Sequence, residues 1–452
     1  MSKNLRVAIV GAGPAGIYAG NILHNQYPDV SIDLFDSLPA PYGLIRYGVA
    51  PDHPRIKGIV NSLHEMLNEG TINFYGNVTF GRDLKLDDIK RHYHAVIFAT
   101  GAIKDAALNI PGIDLDSSYG AADFVSWYDG HPDYPRTWPL EAEQVAVLGN
   151  GNVALDVARV LAKHADDMLS TDIPANVYEG LKASPVTDVH VFGRRGPGQI
   201  KFTPIELREL GEVEDVDLVV YEEDFAGVNG GDWFDEDAEG VTNQQKVMAR
   251  VLNSWREREL TGASRRLHLH FWHNPVEILG DDGKVVGMKF ERTRPVGTEG
   301  AVEGTGEFVE YPLQAVYRAI GYFGSELPEV PFDTKHGVIS NDGGRVVDES
   351  GVQVPGLYAT GWIKRGPIGL IGHTKSDALE TITNLVADVD SLVDPTAGTP
   401  ELLAELTARG VEFTTWAGWL KLDAHERMLG ETEGRERIKV VDRDAQVFVS
   451  NR

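Results

Sequence analysis

Val7-Ala8-Ile9-Val10-Gly11-Ala12-Gly13-Pro14-Ala15-Gly16 decides how the chain is read. Four consecutive apolar, mostly β-branched residues predict a fully buried parallel strand, and the glycines behind them keep the spacing G-x-G-x-x-G. Gly11 makes the tight turn out of the strand. Gly13 leaves bare backbone for a pyrophosphate, which sits on the N-terminus of the next helix, and Gly16 lets that helix pack close to the sheet. After a helix ending near Asn25, a second strand, Ser31-Ile32-Asp33-Leu34-Phe35, closes on Asp36-Ser37. An acid at that strand end, twenty residues after Gly16, is placed to bond the hydroxyls of an adenosine ribose. The unit is a β-α-β dinucleotide site.

The pattern returns further along. Val145-Ala146-Val147-Leu148 is a second apolar strand, Gly149-Asn150-Gly151-Asn152-Val153-Ala154 repeats the fingerprint with alanine at its last position, and Leu155 to Leu161 continues as a helix. The following strand, Val189-His190-Val191-Phe192, ends not in an acid but in Gly193-Arg194-Arg195-Gly196. Guanidinium groups there match a 2′-phosphate through paired, charge-assisted hydrogen bonds, so the second ligand is expected to be NADP(H).

Other stretches take their place around these two units. From Leu38 to Pro54 prolines and glycines argue against a regular element, while the aromatic and apolar residues argue for a loop that covers a ligand. A helix is expected from about Ile56 to Asn68. The strand Ala95-Val96-Ile97-Phe98 ends in Ala99-Thr100-Gly101, and the same tripeptide returns in Leu357-Tyr358-Ala359-Thr360-Gly361-Trp362. Residues 112–136, rich in Tyr, Asp and Pro, read as a crossover between domains. Beyond Trp362, glycine-rich backbone opens a helix from about Lys375 to Val389, and a tail with Trp416, Trp419 and a charged helix near Asp423 to Arg427 reads as packing on the first domain.

Composition sets bounds. A chain of 452 residues is too long for one core, and 42% hydrophobic residues is ordinary for a globular protein. No stretch approaches a membrane span and the N-terminus enters a strand without a basic, apolar leader, so the expectation is a cytoplasmic protein that binds no membrane. There is no cysteine, which excludes disulfides, thiolate metal sites and a redox-active cysteine pair within this chain; no metal is expected. A net charge of −26 argues against nucleic acid as a partner. Residues Glu222 to Glu239 hold eight acids and no base, and read as an exposed loop. By contrast Lys246 to Arg266 holds six basic residues against two acids, and reads as a helix from about Asn243 to Arg258 with a basic face for an acidic partner.

With both dinucleotide units and the A-T-G strand ends in view, the chain resembles the two-domain flavoprotein disulfide-reductase superfamily, an α/β fold of two Rossmann-like domains as in glutathione reductase. Four blocks, Pro41 to Pro54, Gly149 to Arg159, Gly193 to Pro197 and Gly361 to Pro367, resemble adrenodoxin reductase and its bacterial NADPH–ferredoxin reductase relatives. The resemblance implies FAD in a discontinuous first domain, residues 1–105 and 323–452, and NADP(H) in a second, residues 106–322. It implies that FAD takes residues 11–16, Asp36, Ser37, Gly43, Leu44, Val49, Ala99, Thr100, Gly101, Gly361, Trp362, Gly369, Leu370 and Ile371. NADP(H) takes residues 149–154, Arg194, Arg195 and Glu206. His53 and Asp156 match the family's histidine and aspartate near the flavin–nicotinamide region, and Trp362 and Gly369 its residues where the two rings meet. Glu206 matches an acid facing the nicotinamide. Asp36 stands where relatives often carry a longer Glu.

The implied activity is a ferredoxin–NADP(+) reductase, in principle reversible, passing hydride from NADPH to FAD and single electrons to a ferredoxin-type iron–sulfur protein. A flavin can do both, and with no cysteine in the chain the second acceptor has to come from outside it. Bland readings stand beside these: His53 ordering its loop, Asp156 as a helix residue bonded to it, Trp362 as core. Two other functions remain open, an NADPH-dependent flavin monooxygenase and a non-catalytic NADP(H)-binding protein, which would be colourless.

Overall fold

The computed structural model describes residues 4–226, 233, 234, 236, 241–297, 300–367 and 371–452, except the side chains of residues 371 and 372. They form two compact units: Met1–Lys104 with Asp129–Tyr134 and Tyr322–Arg452, and Asp105–Tyr128 with Pro135–Gly321.

The first unit is built on a sheet whose strand order, among the described residues, is Asn341–Asp342, Arg345–Val347, Gln353–Ala359, Ala95–Phe98, Arg6–Val10, Ser31–Phe35, Ile72–Gly76 and Thr414–Thr415. Arg6–Val10 is central and pairs in parallel with Ser31–Phe35 and Ala95–Phe98. Its alternate residues enter different cores. Val7 and Ile9 pack with Ile17, Leu63 and Ile382, whereas Ala8 and Val10 pack with Leu86, Phe98 and Leu402. Burial on both faces is the reason that no polar residue interrupts the run.

Two expectations here need correction. Residues 38–54 are not wholly irregular: Leu44–Tyr47 forms one helical turn between Gly43 and Gly48, and Pro54–Lys57 another, with Pro54 in the first turn where its missing N–H costs nothing. The helix after it is Val60–Asn68. The C-terminal helix is also longer than its charged centre suggests, running Trp416–Glu431, and Arg443–Asn451 follows. Lys439 and Arg443 in this tail bind Asp129 and Asp133, which ties residues 129–134 to the first unit.

The second unit holds a parallel sheet in the order Ser118–Gly120, Ala315–Arg318, Gln144–Leu148, Asp188–Phe192, Arg265–His270 and Val216–Val220. Residues 112–136 are therefore not a mere crossover. They supply the sheet's first strand and the helix Ala121–Tyr128, whose Phe124 lies 4.9 Å from the ring of Tyr317. A three-stranded antiparallel sheet, His273–Asp281, Lys284–Val296 and Ala301–Pro312, completes the unit. Its last strand is unreadable in advance because it is exposed along nearly its whole length, so no alternation marks it. No helix among the described residues is long and apolar enough to cross a membrane.

Candidate functional site

The first fingerprint closes tightly on itself. A Cβ on Gly11, whose φ is +112°, would stand 2.3 Å from the Ala99 carbonyl oxygen, and one on Gly16 would stand 1.9 Å from that of Gly11. Gly13 differs: a Cβ there would meet only the Gly43 Cα, at an ordinary 3.8 Å. The fold accounts for the two outer glycines and not for the middle one. Gly13 caps the helix Pro14–Gln26, which has no side-chain cap and no acid in its first turn, so nothing in that turn offsets its positive end. The turn is covered by Tyr42, whose amide donates to the Ala12 carbonyl at 2.8 Å and whose backbone is held at φ 84°. Tyr42 is fixed from behind by the edge of Trp419, 5.5 Å between centroids. Leu44 and Val49 bracket the next turn, the Val49 amide donating to Leu44 O at 2.8 Å.

Asp36 lies buried at the end of Ser31–Phe35. Its Oδ2 accepts the Ala12 amide at 2.7 Å and its Oδ1 the Leu38 amide at 2.8 Å, which leaves each oxygen further lone pairs. Burial pushes its pKa up to about 6 against the pull of those amides and of Arg443. Ser37 is exposed and its carbonyl accepts from Arg443 at 2.7 Å. The A-T-G ends meet the fingerprint: the Ala99 amide donates to Val10 O at 2.7 Å, and a Cβ on Gly361 would stand 2.6 Å from that of Ala15. Thr100 and Gly101 follow, half-buried.

Trp362 begins the turn Trp362–Arg365 and is half-buried. Behind it Asp377 accepts the Gly361 amide at 2.5 Å and pairs with buried Lys364 at 3.0 Å. Asp377 escaped the sequence reading because a single acid on a helix carries no motif. Gly369 and Leu370 lie outside the described residues, and Ile371 opens the helix Ile371–Asp388. His53 is buried at the start of Pro54–Lys57, its amide donating to Ala50 O at 3.1 Å.

In the second unit the same logic recurs. A Cβ on Gly149 would stand 2.2 Å from Ala319 O, whereas Gly151 meets no atom within 4 Å. Asn150 lies against Gly193, Asn152 accepts the Thr203 amide at 3.1 Å, and Ala154 is buried beside half-buried Val153. These contacts bring the segment leading to Glu206, buried on the helix Pro204–Leu210, beside the turn. Asp156 pairs with buried Arg159 at 3.0 Å. Arg194 is exposed and Arg195 half-exposed, and among the described residues neither guanidinium has an ion-pair or hydrogen-bond partner. In a chain with 68 acids, two adjacent cations without an acid beside them are poised for an anion from elsewhere.

The basic face expected at residues 246–266 is only partly free: among the described residues Lys246 and Arg258 have no ion pair, whereas the other four are engaged. Arg250 pairs with Glu236, Arg256 with Glu222 and Arg266 with Asp188, and Arg265 donates to backbone carbonyls of residues 162 and 163. Acids distant in sequence supply the neutralisation. Of the acidic stretch, Glu222–Phe225 forms a turn with Asp224 and Phe225 buried, which is not the exposed loop expected; residues 227–232, 235 and 237–240 lie outside the described residues.

Beneath the arginine turn, His190, His268 and His270 bring ring nitrogens within 4.8 Å of one another. Those nitrogens are engaged by protein: His190 Nδ1 with His270 Nε2 at 2.9 Å, His268 with Asp188 and Tyr221 at 2.8 Å each. Phe192 stacks on His270 and Phe290, at 4.4 and 4.1 Å between centroids, so the rings brace the strand ends that carry the turn.

A family model described as Pyridine nucleotide-disulphide oxidoreductase matches residues 5–191. The NADPH-ferredoxin reductase FprA of Mycobacterium tuberculosis (strain ATCC 25618 / H37Rv) is 38% identical over 450 residues, 96% of each chain. The mitochondrial NADPH:adrenodoxin oxidoreductase of Homo sapiens is 36% identical over 456 residues, 97% of this chain and 91% of that one. The structure described as Mycobacterium tuberculosis FprA in complex with NADPH superposes with a TM-score of 0.92 over 100% of both chains, at 36% identity. With two glycine turns, an acid at one strand end, an arginine pair at the other and full-length kinship, the chain belongs to the family of the NADPH–ferredoxin and NADPH:adrenodoxin reductases.

Proposed function

We infer that this protein is an NADPH–ferredoxin reductase, taking hydride from NADPH onto FAD and delivering electrons to an iron–sulfur protein of the ferredoxin type. The observation that carries the reading is the pair of middle glycines, Gly13 and Gly151, whose missing side chains nothing in the protein demands. A phosphate against bare backbone at each helix N-terminus supplies the reason. Bound FAD supplies the chemistry that joins a two-electron donor to a one-electron acceptor.

The chain's own residues bind and orient. Asp36 directs its remaining lone pairs at the ribose hydroxyls of the first dinucleotide, and the Tyr42-Gly43 loop shields the diphosphate. Arg194 and Arg195 clasp the 2′-phosphate of the second, which selects NADPH over NADH. Residues 149–154 take its diphosphate, and Glu206, on the helix beside them, faces the nicotinamide. Trp362 orders the region where hydride passes, in a turn held by Asp377 through the Gly361 amide; orientation of this kind is worth several kcal/mol of barrier. His53 has, on this reading, a part beside FAD and Asp156 a part beside NADP(H). In this reading the compartment is the cytoplasm, and residues 1–105 with 323–452 bind FAD while 106–322 bind NADP(H).

The visible spectrum of the purified protein, before and after anaerobic NADPH, tests the reading. A yellow protein bleached by NADPH and reoxidised by ferredoxin is expected. A colourless protein that takes up added FAD without bleaching on NADPH would overturn it, and a flavin reduced by NADPH but reoxidised only by oxygen with an organic substrate would point to a monooxygenase.

A further inference from the structure

The turn that carries Arg194 and Arg195 is held from outside at every residue. Gly193 donates to His270 O and accepts from the His273 amide, both at 2.9 Å. Arg194 O accepts the Thr293 hydroxyl at 2.7 Å, Arg195 O accepts the Trp272 amide at 3.2 Å, and the Gly196 amide donates to Gln199 Oε1 at 3.1 Å. Trp272 stands at the centre of this arrangement. Its φ is 60°, a conformation a bulky side chain seldom adopts and keeps only where its surroundings over-determine it. Those surroundings are visible: Trp272 O accepts the Thr293 amide at 2.9 Å, and Trp272 Nε1 donates to Asp224 O at 3.0 Å. Its ring lies directly on Gly196, where a Cβ would come within 1.9 Å of Cζ2. Asp224 is itself fixed, accepting the Phe271 amide at 2.8 Å and pairing with Arg292 at 2.7 Å.

We propose that Trp272 is a positioning residue for coenzyme selection, clamping the Gly193–Gly196 turn so that both guanidinium groups meet a 2′-phosphate without further ordering. The inference rests on reading this turn as the 2′-phosphate site. A glycine-flanked turn left loose has to be ordered at each binding event, and the ordering subtracts from every hydrogen bond the arginines make. The clamp bears on the arginine side of the turn, since Trp272 holds the Arg195 carbonyl and lies on Gly196, so its effect should fall on the phosphate first. The acidic stretch has a part in it, because Asp224 reaches in from there to hold the indole.

The test compares two ligands that differ by one phosphate, adenosine 2′,5′-bisphosphate and 5′-AMP, titrated by calorimetry into the flavin-loaded enzyme. In Trp272→Ala the bisphosphate is expected to bind about tenfold more weakly, roughly the worth of one charge-assisted hydrogen bond, with AMP changed by less than about twofold. With ferricyanide as acceptor, kcat/KM for NADPH falls through KM while that for NADH holds. Trp272→Phe, which keeps a ring on Gly196, recovers most of the loss. Unchanged bisphosphate affinity overturns the proposal, and so does an equal loss for both ligands, which would make Trp272 an adenine contact or a general prop. If Trp272→Ala does not fold, Gly196→Ala must give the same selective loss, and a non-selective one overturns it. A wild-type enzyme with no preference for the bisphosphate over AMP would instead refute the 2′-phosphate reading itself, and this inference with it.

Discussion

Arg46 and Glu426, 380 positions apart, meet in a two-pronged ion pair of 2.9 and 2.5 Å, with 5% and 0% of their side chains exposed. Arg46 belongs to the Leu44–Tyr47 turn beside the first glycine fingerprint, and Glu426 to the C-terminal helix. Arg437 joins Glu426 at 3.2 Å, and Lys439 donates to the Arg46 carbonyl at 2.9 Å. The tail is thus a brace for the loop over the dinucleotide turn. Removing one member strands a buried charge, so Glu426→Gln should cost about 3–5 kcal/mol in denaturant unfolding. Arg46→Met combined with Glu426→Leu should recover part of that. Additive losses in the double-mutant cycle would mean that the two residues act independently.

The histidine cluster of the second unit and the Asp36 strand end of the first should answer pH with opposite signs locally. In the second, burial holds His190 down to about 3 and His273 to about 4, and lowers His268 and His270 as well. A depressed folded value means stability that is full above the ordinary histidine range near 6.5 and drains as pH falls below it. In the first unit burial raises Asp36 from 3.8 to about 6, so its contribution is greatest below about 4 and is lost as pH rises through 6. Hydrogen exchange of the apoprotein, corrected for intrinsic rates, should show Asp188–Phe192 and Arg265–His270 losing protection from pH 7 to 5 while Ser31–Phe35 gains it. Asp36→Asn should abolish the gain. A common response of these strands would refute the assignment.

Arg194 and Arg195 lack partners among the described residues, so their replacement costs the fold little and the coenzyme much. Each guanidinium's hydrogen bonds to a 2′-phosphate are worth about 1.5–3 kcal/mol, and NADH has no group to receive them. Either residue changed to Ala should lower kcat/KM for NADPH by roughly ten- to a hundredfold with ferricyanide as acceptor, leaving NADH nearly unchanged. The double change should cost more than either alone, though less than the sum, because one anion serves both. Parallel loss of both activities would make the arginines structural.

How much of this was legible follows from what each feature depends on. Local rules reveal the two strand–turn–helix units, because an apolar run buried on both faces and a fixed glycine spacing are properties of neighbouring residues. The strand Ser118–Gly120 stayed hidden among Tyr, Asp and Pro because three residues cannot show a period. The basic face was legible only in part for a related reason: Glu222, Glu236 and Asp188, which neutralise Arg256, Arg250 and Arg266, are brought to them only by folding. Asp377, Glu426 and Trp272 share that cause. Each acts through a contact made across the fold, and nothing in its own neighbourhood marks it.

The glycines permit the sharpest separation of fold from function. At Gly11 and Gly16 an added Cβ collides with backbone at 2.3 and 1.9 Å, so alanine at either should destabilise the apoprotein whether or not a ligand is ever bound. At Gly13 and Gly151 φ is −76° and −116°, values that alanine adopts freely, and no protein atom stands closer than 3.8 Å. Gly13→Ala and Gly151→Ala should therefore leave apoprotein stability unchanged or raise it by about 0.4–1 kcal/mol, through the loss of unfolded-state freedom. Their cost should appear only on binding. A methyl group in the space of a diphosphate should cost about 1–3 kcal/mol, roughly ten- to a hundredfold in affinity. It should fall on FAD alone for Gly13→Ala and on NADP(H) alone for Gly151→Ala, measured by flavin uptake of the apoprotein and by NADP(+) titration of the flavin-loaded enzyme. Loss of both ligands in either variant would mean a general disturbance. Undiminished binding in both would mean that these glycines face no phosphate, and the two turns would then need another explanation.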